Sequence, residues 1–430
     1  MKIALVNPPW DFAGSIYFGC REPHLPLEYG YARQMLEAEG HDAVIFDAQL
    51  DGPGGDALSE AVASFAPDMT VVTTAPSYLF WRCAPPELRV PQQTVAQLRD
   101  VGGLIVGIGP HASTTPGTAL MKLGADVVVM GEAEEILARL ARAPRCDWRT
   151  VPSIAYRGDG RVIIQGGPHA SDMAALPVLE WPDAVMARHR HHHHRFDAPA
   201  QGPGAEMETS RGCPYHCTFC AKENFRDAYR RRPLPVIVAE LDRLLGQGVE
   251  YLYFIDEIFL PNRPLLQALA ERKLKFGVQT RIDLWNHDML ELLGRAGCVS
   301  IEAGVESLSP EGRDRLDKKC RMSTEALTER LLFAKRHVAF VQANLIEAEL
   351  DDADEIARWR DGLQAHGVWA NEPVPLFPYP GSPDYRRLWG LPDDQAWERA
   401  HAHYLAQFDD FSDIQEQRPL PLRELERTAP

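Results

Sequence analysis

Short apolar runs separated by amphipathic stretches of helical spacing recur along most of the chain. The first run, Lys2 to Val6, predicts a strand that ends at Asn7-Pro8-Pro9-Trp10, where consecutive prolines stop either regular structure. Leu27 to Glu39 reads as a helix closed by Gly40. Further strands are predicted at Ala43 to Phe46, Met69 to Thr73, Leu104 to Val106 and Asp126 to Val129, with helical stretches between them. Such alternation predicts a parallel, doubly wound α/β sheet over residues 1–145. Ligands of such sheets bind at the carboxyl ends of the strands, so the loops after each run carry the interest.

A connector is predicted over residues 146–204. It opens with a hairpin, Val151 to Tyr156 and Arg161 to Gln165, around Arg157-Gly-Asp-Gly160. It then turns Pro-rich and ends in the histidine run His189-Arg-His-His-His-His-Arg195, read as a polar crossing. Periodicity resumes with helices at Leu234 to Leu245, Leu265 to Lys273, Met289 to Ala296, Thr324 to Arg336 and Ala353 to Ala365. Strands alternate with them at Tyr251 to Ile255, Lys275 to Gln279, Val299 to Ala303, Phe340 to Ile346 and near Trp369. With a short strand near Glu206, six strand–helix units over residues 205–385 suit a partial (β/α)6 barrel. Residues 386–430 read as a short helical tail, in which Trp397, Tyr404 and Phe408 form a packing stripe and Gln415 onward is polar.

Composition narrows the functional classes. The 430 residues are 45% hydrophobic and 25% charged, ordinary values for a globular protein. A formal net charge of -16 argues against a nucleic-acid binder driven by backbone phosphates. No apolar run approaches the ~20 residues of a membrane span, and the start shows no signal-peptide pattern, so a cytoplasmic protein is expected. Of eight cysteines, three are clustered and Cys20, Cys83, Cys146, Cys298 and Cys320 are scattered. That distribution suits a metal protein of a reducing compartment better than a disulfide scaffold.

The clustered three, Cys213, Cys217 and Cys220, stand at C-x3-C-x2-C spacing in a Gly/Pro-broken loop just after a strand-like segment. Three thiolates on a 4Fe–4S cluster leave one iron open to a substrate or cofactor. A zinc knuckle with His216 as fourth ligand is the alternative, although His216 directly precedes Cys217, an awkward reach for a tetrahedral site. The spacing, with aromatic Phe219 before the last cysteine, resembles the radical S-adenosylmethionine (SAM) superfamily. The resemblance implies SAM contacts from Phe219, from Asp256 and Glu257 for the ammonium, and from Gln279 and Arg281 for the carboxylate. It also implies Glu306 and Ser307 near the ribose, and a lysine at Lys318-Lys319. Glu302 and Lys319 read more readily as surface charges. Pro378-Tyr-Pro-Gly-Ser-Pro383 resembles the closing loop of related enzymes.

The loops of the first domain together resemble the cobalamin-binding domain that precedes many radical-SAM cores. The matching residues are Pro9 and Trp10, Ser77 and Tyr78, Gly107, Gly109, His111 and Ser113, and Gly131 and Glu132. A Rossmann-like domain without a cofactor is the alternative. The usual histidine ligand to cobalt has no counterpart, since Asp47-Ala-Gln-Leu-Asp-Gly52 carries Gln49 in its place behind a different strand. The resemblance therefore implies cobalamin held without a lower histidine, and Ser77-Tyr78-Leu79 is the candidate to cover that face. Cys20, just beyond the first of these loops, is the scattered cysteine nearest to them.

What the resemblance implies is an enzyme with a 4Fe–4S cluster, SAM and cobalamin, fed by an electron donor such as flavodoxin or ferredoxin. It would generate a 5′-deoxyadenosyl radical and methylate an unactivated carbon of a small-molecule substrate. Non-methylating radical chemistry (cyclisation, rearrangement or oxidation) is the second reading, and a non-catalytic cobalamin or redox sensor the third. No nucleic-acid or membrane partner is implied.

Overall fold

The computed structural model describes residues 1–10, 23–52, 55–77, 88–190, 202–222, 226–407, 411–412 and 419–420. Two sheets organise them. The first contains β1 (Lys2–Asn7), β2 (Asp42–Asp47), β3 (Met69–Thr73), β4 (Leu104–Ile108), β5 (Val127–Val129), β6 (Ile154–Gly158) and β7 (Arg161–Gln165). Their order is β2-β1-β3-β4-β5-β6-β7, with β1 to β5 parallel and the last two antiparallel. The hairpin is therefore part of this sheet, which continues past residue 145. Ala4 and Val6 pack to one face of β1, Ile3 and Leu5 to the other, so helices cover both sides. The helices Leu27–Ala38 and Glu134–Arg142 share one face.

The second sheet holds β8 (Gly204–Met207), β11 (Tyr251–Phe254), β12 (Lys275–Thr280), β13 (Cys298–Glu306), β14 (Phe340–Leu345) and β15 (Trp369–Ala370). Between β8 and β11, β9 (Ser210–Arg211) and β10 (Arg230–Arg231) form a small antiparallel pair around the cysteine loop. All neighbours in the order β15-β14-β13-β12-β11-β8 are parallel. This is the predicted six-stranded open barrel. Val278, Ile301, Ala303 and Ala343 are buried under the helices, whereas Gln279, Glu302, Gly304 and Asn344 alternate with them and are half-exposed. Deeper inside, a Cβ on Gly277 would lie 2.3 Å from the Tyr251 hydroxyl. Glycine there is what admits the tyrosine.

The two domains meet through buried charge. Arg211, fully buried at the end of β9, donates to Glu132 Oε2 (3.0 Å), Glu134 Oε1 (2.7 Å) and Glu208 Oε1 (2.9 Å). Glu132 and Glu134 come from the first domain, Glu208 from the loop after β8. Arg226 adds a 3.1 Å bond to Glu208, and Arg230 grips Glu132 and the Ser171 carbonyl. Burial alone would raise Glu132 and Glu208, but the surrounding arginines hold both below the ordinary carboxylate range.

Two predictions follow from these contacts. Removing the shared cation with Arg211→Met leaves three buried carboxylates facing one another, so unfolding stability should drop by about 3–5 kcal/mol, read from chemical denaturation. Carboxyls held below 4.5 stabilise the fold fully above that pH and lose the contribution as pH falls towards their folded values. The wild-type denaturation midpoint should therefore fall below about pH 4.5, and an Arg211→Met midpoint that falls as steeply there would contradict the assignment. Gly277→Ala should cost about 1–3 kcal/mol by displacing Tyr251, and an unchanged melting temperature would count against that packing.

Candidate active site

The cysteine loop leaves β9 through Gly212, whose φ of +80° suits glycine and whose missing Cβ would sit 2.2 Å from the Ala228 carbonyl. Its N–H donates to Glu257 Oε2 at 2.8 Å. Lys222 closes the other end, donating to the carbonyls of Cys213 and Asp227 and pairing with the Asp227 carboxylate at 3.0 Å. In the middle, Thr218 accepts a bond from Asp384 N–H (2.9 Å) and donates its hydroxyl to the Asp384 carboxylate (3.0 Å). Asp384 begins the helix after Pro378-Tyr-Pro-Gly-Ser-Pro383, so this predicted closing loop docks on the cysteine loop.

Cys213, Cys217 and Cys220 carry free, mutually interacting thiols, and burial pushes all three up, Cys220 to about 12. Lys222 and Arg281 oppose this at Cys213, as do Lys318 and Arg281 at Cys217. Metal ligation would hold such thiols deprotonated. Among the described residues no three His, Cys, Asp or Glu side chains stand close enough for a single ion, and His216 is exposed. Three thiols presented by one loop are the donor set that a 4Fe–4S cluster takes with one iron left open.

Around these thiols stand several residues expected to meet SAM. Arg281 is buried at the end of β12, forked onto Asp283 (3.1 and 2.8 Å) and stacked 4.0 Å over the Tyr215 ring. Its remaining Nη1 is buried with no hydrogen-bond partner among the described residues, an orphaned donor suited to a carboxylate. Burial raises Glu257 to about 7, although Arg226 opposes the shift. Glu306 adopts φ +71° and takes a 3.1 Å ion pair from buried Lys318. A Cβ on Gly304 would fall 2.3 Å from the Glu306 carboxylate, so glycine makes room for it. Lys319 instead is exposed and pairs with Asp317. Gln279 and Phe219 are half-buried.

Two other expected contacts serve the scaffold. Asp256 accepts from Thr209 N–H (2.7 Å) and from the Thr209 and Ser210 hydroxyls (both 2.6 Å). Ser307 donates to Asp351, which also takes Leu308 and Ser309 N–H, while buried Arg313 holds the Ser307, Leu308 and Met322 carbonyls. Arg313 fixes the turn after Glu306 and was not legible as functional. Nor were Lys222, Glu208, Arg226 and Arg230; Arg226 meets Glu257 31 residues away and Arg230 meets Glu132 98 residues away.

In the first domain the candidates divide similarly. Trp10 donates its indole N–H to Asn7 Oδ1 (2.9 Å), and Asn7 donates to Asp47 (2.8 Å), with Pro9 half-buried beside them. A Cβ on Gly107 would meet Leu123 at 2.9 Å and Val128 at 3.1 Å, a packing role within β4. Gly109 turns at φ +120°, and Ser113 accepts from Gly131 N–H at 2.7 Å, tying the loops after β4 and β5. His111 stacks on Trp397 of the tail helix, ring centroids 4.1 Å apart, and Trp397 and Tyr404 are buried. Gly131 abuts His169, and Glu132 belongs to the Arg211 network. Ser77 donates to Glu28 Oε2 at 2.7 Å. Glu28 Oε1 and Thr74 Oγ1, neither expected from sequence, are buried without a hydrogen-bond partner among the described residues. Tyr78, the run His191–His194, Cys20 and Cys83 lie outside the described residues, as does Phe408.

Known proteins match both halves of this arrangement. Residues 207–341 match the radical SAM superfamily. The anaerobic magnesium-protoporphyrin IX monomethyl ester cyclase of Cereibacter sphaeroides is 26% identical, covering 77% of this chain and 55% of its own. The cobalamin-dependent radical SAM methyltransferase TokK of Streptomyces tokunonensis is 32% identical over 62% of this chain and 39% of its own. The chain thus spans well under two thirds of either relative. The radical SAM methyltransferase TsrM from Kitasatospora setae, solved with cobalamin and a [4Fe-4S] cluster, shares the fold at TM-score 0.68 and 18% identity, covering 89% of this chain and 73% of that one. No helix among the described residues is long and apolar enough to cross a membrane. Residues 207–341 thus carry a radical SAM domain, and the chain shares the fold of TsrM.

Proposed function

We propose that the protein is a cobalamin-dependent radical SAM enzyme that methylates an unactivated carbon of a small molecule. The observation that carries this reading is the meeting, at the carboxyl ends of the barrel strands, of three thiols with the orphaned Arg281 nitrogen, Glu257 and the Glu306–Lys318 pair. A 4Fe–4S cluster held by Cys213, Cys217 and Cys220 would supply the electron for reductive cleavage of SAM, and cobalamin would supply the methyl group.

The chain supplies position and charge. Cys213, Cys217 and Cys220 hold the cluster, and Lys222 and Gly212 set the loop that presents them. Arg281 takes the SAM carboxylate through Nη1, with Tyr215 and Asp283 locking its plane. Glu257 receives the ammonium, and Gln279 and Phe219 complete that side. Glu306, kept in place by Lys318, faces the ribose. TokK and TsrM, named as methyltransferases, support methylation; the cyclase relative favours the second reading, radical chemistry without methyl transfer. An external electron donor such as flavodoxin or ferredoxin completes the reading, in a cytoplasmic setting.

The test is anaerobic reconstitution with iron, sulfide, cobalamin, SAM and a reductant, followed by mass spectrometry of SAM-derived products. Methylation predicts S-adenosylhomocysteine together with 5′-deoxyadenosine; deoxyadenosine without any methylated product would move the assignment to the second reading. Cofactor binding without SAM cleavage would leave only a sensor. Cys217→Ala should lose iron and the brown chromophore. Arg281→Ala should keep the iron but weaken SAM binding about ten- to hundred-fold, as expected for one charge-assisted contact.

A further inference from the structure

The first sheet has a topological switch point. From β1 the chain crosses to β2 on one side, and from β3 it crosses to β4 on the other, while β1 and β3 are direct neighbours. Ligands of doubly wound sheets enter the crevice outside the carboxyl ends of such a strand pair. Tyr29 spans this pair, its hydroxyl donating to the carbonyls of Val6 (2.8 Å) and Val71 (3.3 Å). Beside it, Glu28 opens the helix Leu27–Ala38 and Thr74 opens the loop after β3.

Glu28 is committed through one oxygen only, and the Thr74 hydroxyl has no hydrogen-bond partner among the described residues. Ser77 fixes Glu28 through Oε2, and Oε1 is left with no partner. Thr74 bonds its N–H to the Ile108 carbonyl at 2.9 Å, and Thr73 turns its hydroxyl to the Ala75 carbonyl at 2.7 Å. The Thr74 hydroxyl is left over. Glu28 is 2% exposed and Thr74 0%, so water does not reach them freely. Ser77, which holds Glu28, lies three residues beyond Thr74 in the same loop, and native structures rarely leave such buried groups without a partner.

We propose that Glu28 and Thr74 form a polar anchor for the amide-fringed edge of cobalamin, held rigid by Ser77 and Tyr29. This rests on the cobalamin reading above. The corrin periphery carries primary amides, which offer N–H donors to Glu28 Oε1 and both donor and acceptor to Thr74 Oγ1. A nucleotide would present phosphates, and among the described residues no lysine or arginine is hydrogen-bonded to either side chain. The charged groups acting on Glu28 are Glu134, which raises its pKa, and Arg226, which lowers it, both members of the inter-domain network. Burial is the larger influence and lifts Glu28 to about 7. Its acceptor form is therefore gained as pH rises through neutrality, and cobalamin should bind more tightly at pH 8 than at pH 6.

The experiment titrates methylcobalamin, in the dark, into the cluster-loaded full chain and reads affinity and the absorption spectrum of the bound cofactor. Glu28→Gln removes the titrating charge at nearly the same size, and Thr74→Val removes only the hydroxyl. Each should weaken binding about ten-fold, the scale of one buried hydrogen bond, and Glu28→Gln should flatten the pH dependence. Iron content and SAM binding should stay at wild-type levels, which separates the effect from misfolding. Wild-type affinity and pH profile in both variants would overturn the anchor while leaving the cobalamin reading intact. A wild-type chain that binds no methylcobalamin overturns both.

Discussion

The Arg211 guanidinium is the contact on which the geometry of the protein turns. It is fully buried, two residues ahead of Cys213, and its nitrogens bond carboxylates from both domains. Taking one guanidinium and three carboxylates out of water carries a desolvation cost that only close, complete pairing offsets. Any shift of the first domain against the cysteine loop would stretch several of these bonds at once. The network thus couples the loops after β5 to the strand that launches the cysteine loop. Tyr31 contributes from the first domain as well, its ring 5.4 Å below Arg211 and 5.3 Å below Arg232. Since buried ion pairs add little net stability over apolar packing, their main physical effect here is on position.

Much of the architecture was readable because it rests on short-range pattern. Alternating apolar runs located both parallel sheets, and turn chemistry located the Arg157–Gly160 hairpin, whose strands continue the first sheet because β5 offers an open edge. The cysteine loop was readable from spacing alone. Arg211 was not, although it lies beside that motif, since Glu132 and Glu134 are 79 and 77 residues away and no local pattern links them. The glycines were legible as special but not in kind. Gly107 avoids Leu123 and Val128 inside the sheet, while Gly212 admits the Ala228 carbonyl to the site loop. Asp256 and Glu257 show the same limit: adjacent carboxylates at one strand end, one tied to Thr209 and Ser210 and the other facing the cysteine loop.

The carboxylates sort by how many cations surround them. Glu132 and Glu208 are buried yet held ionised by arginines. Glu28 and Glu257 are buried with less compensation and rise to about 7. A carboxyl raised in this way weakens the fold as pH climbs from the ordinary 4.5 to its folded value, beyond which the loss is constant. Around neutrality the ligand-free protein therefore bears nearly the full cost of keeping these two groups out of water.

That cost has a direction. Glu257 stands beside the cysteine loop at the end of a barrel strand, and Glu28 stands at the switch point of the other sheet. A ligand bringing N–H donors to either would favour the ionised form, draw the pKa down and release a proton on binding. SAM carries an ammonium and cobalamin a fringe of amides, donors of the kind that would favour the ionised form of either carboxyl. The arginines of the interface outweigh burial at Glu132 and Glu208, whereas at Glu28 and Glu257 burial outweighs the donors each already has, and that difference sets the two raised carboxyls apart from the scaffold pair.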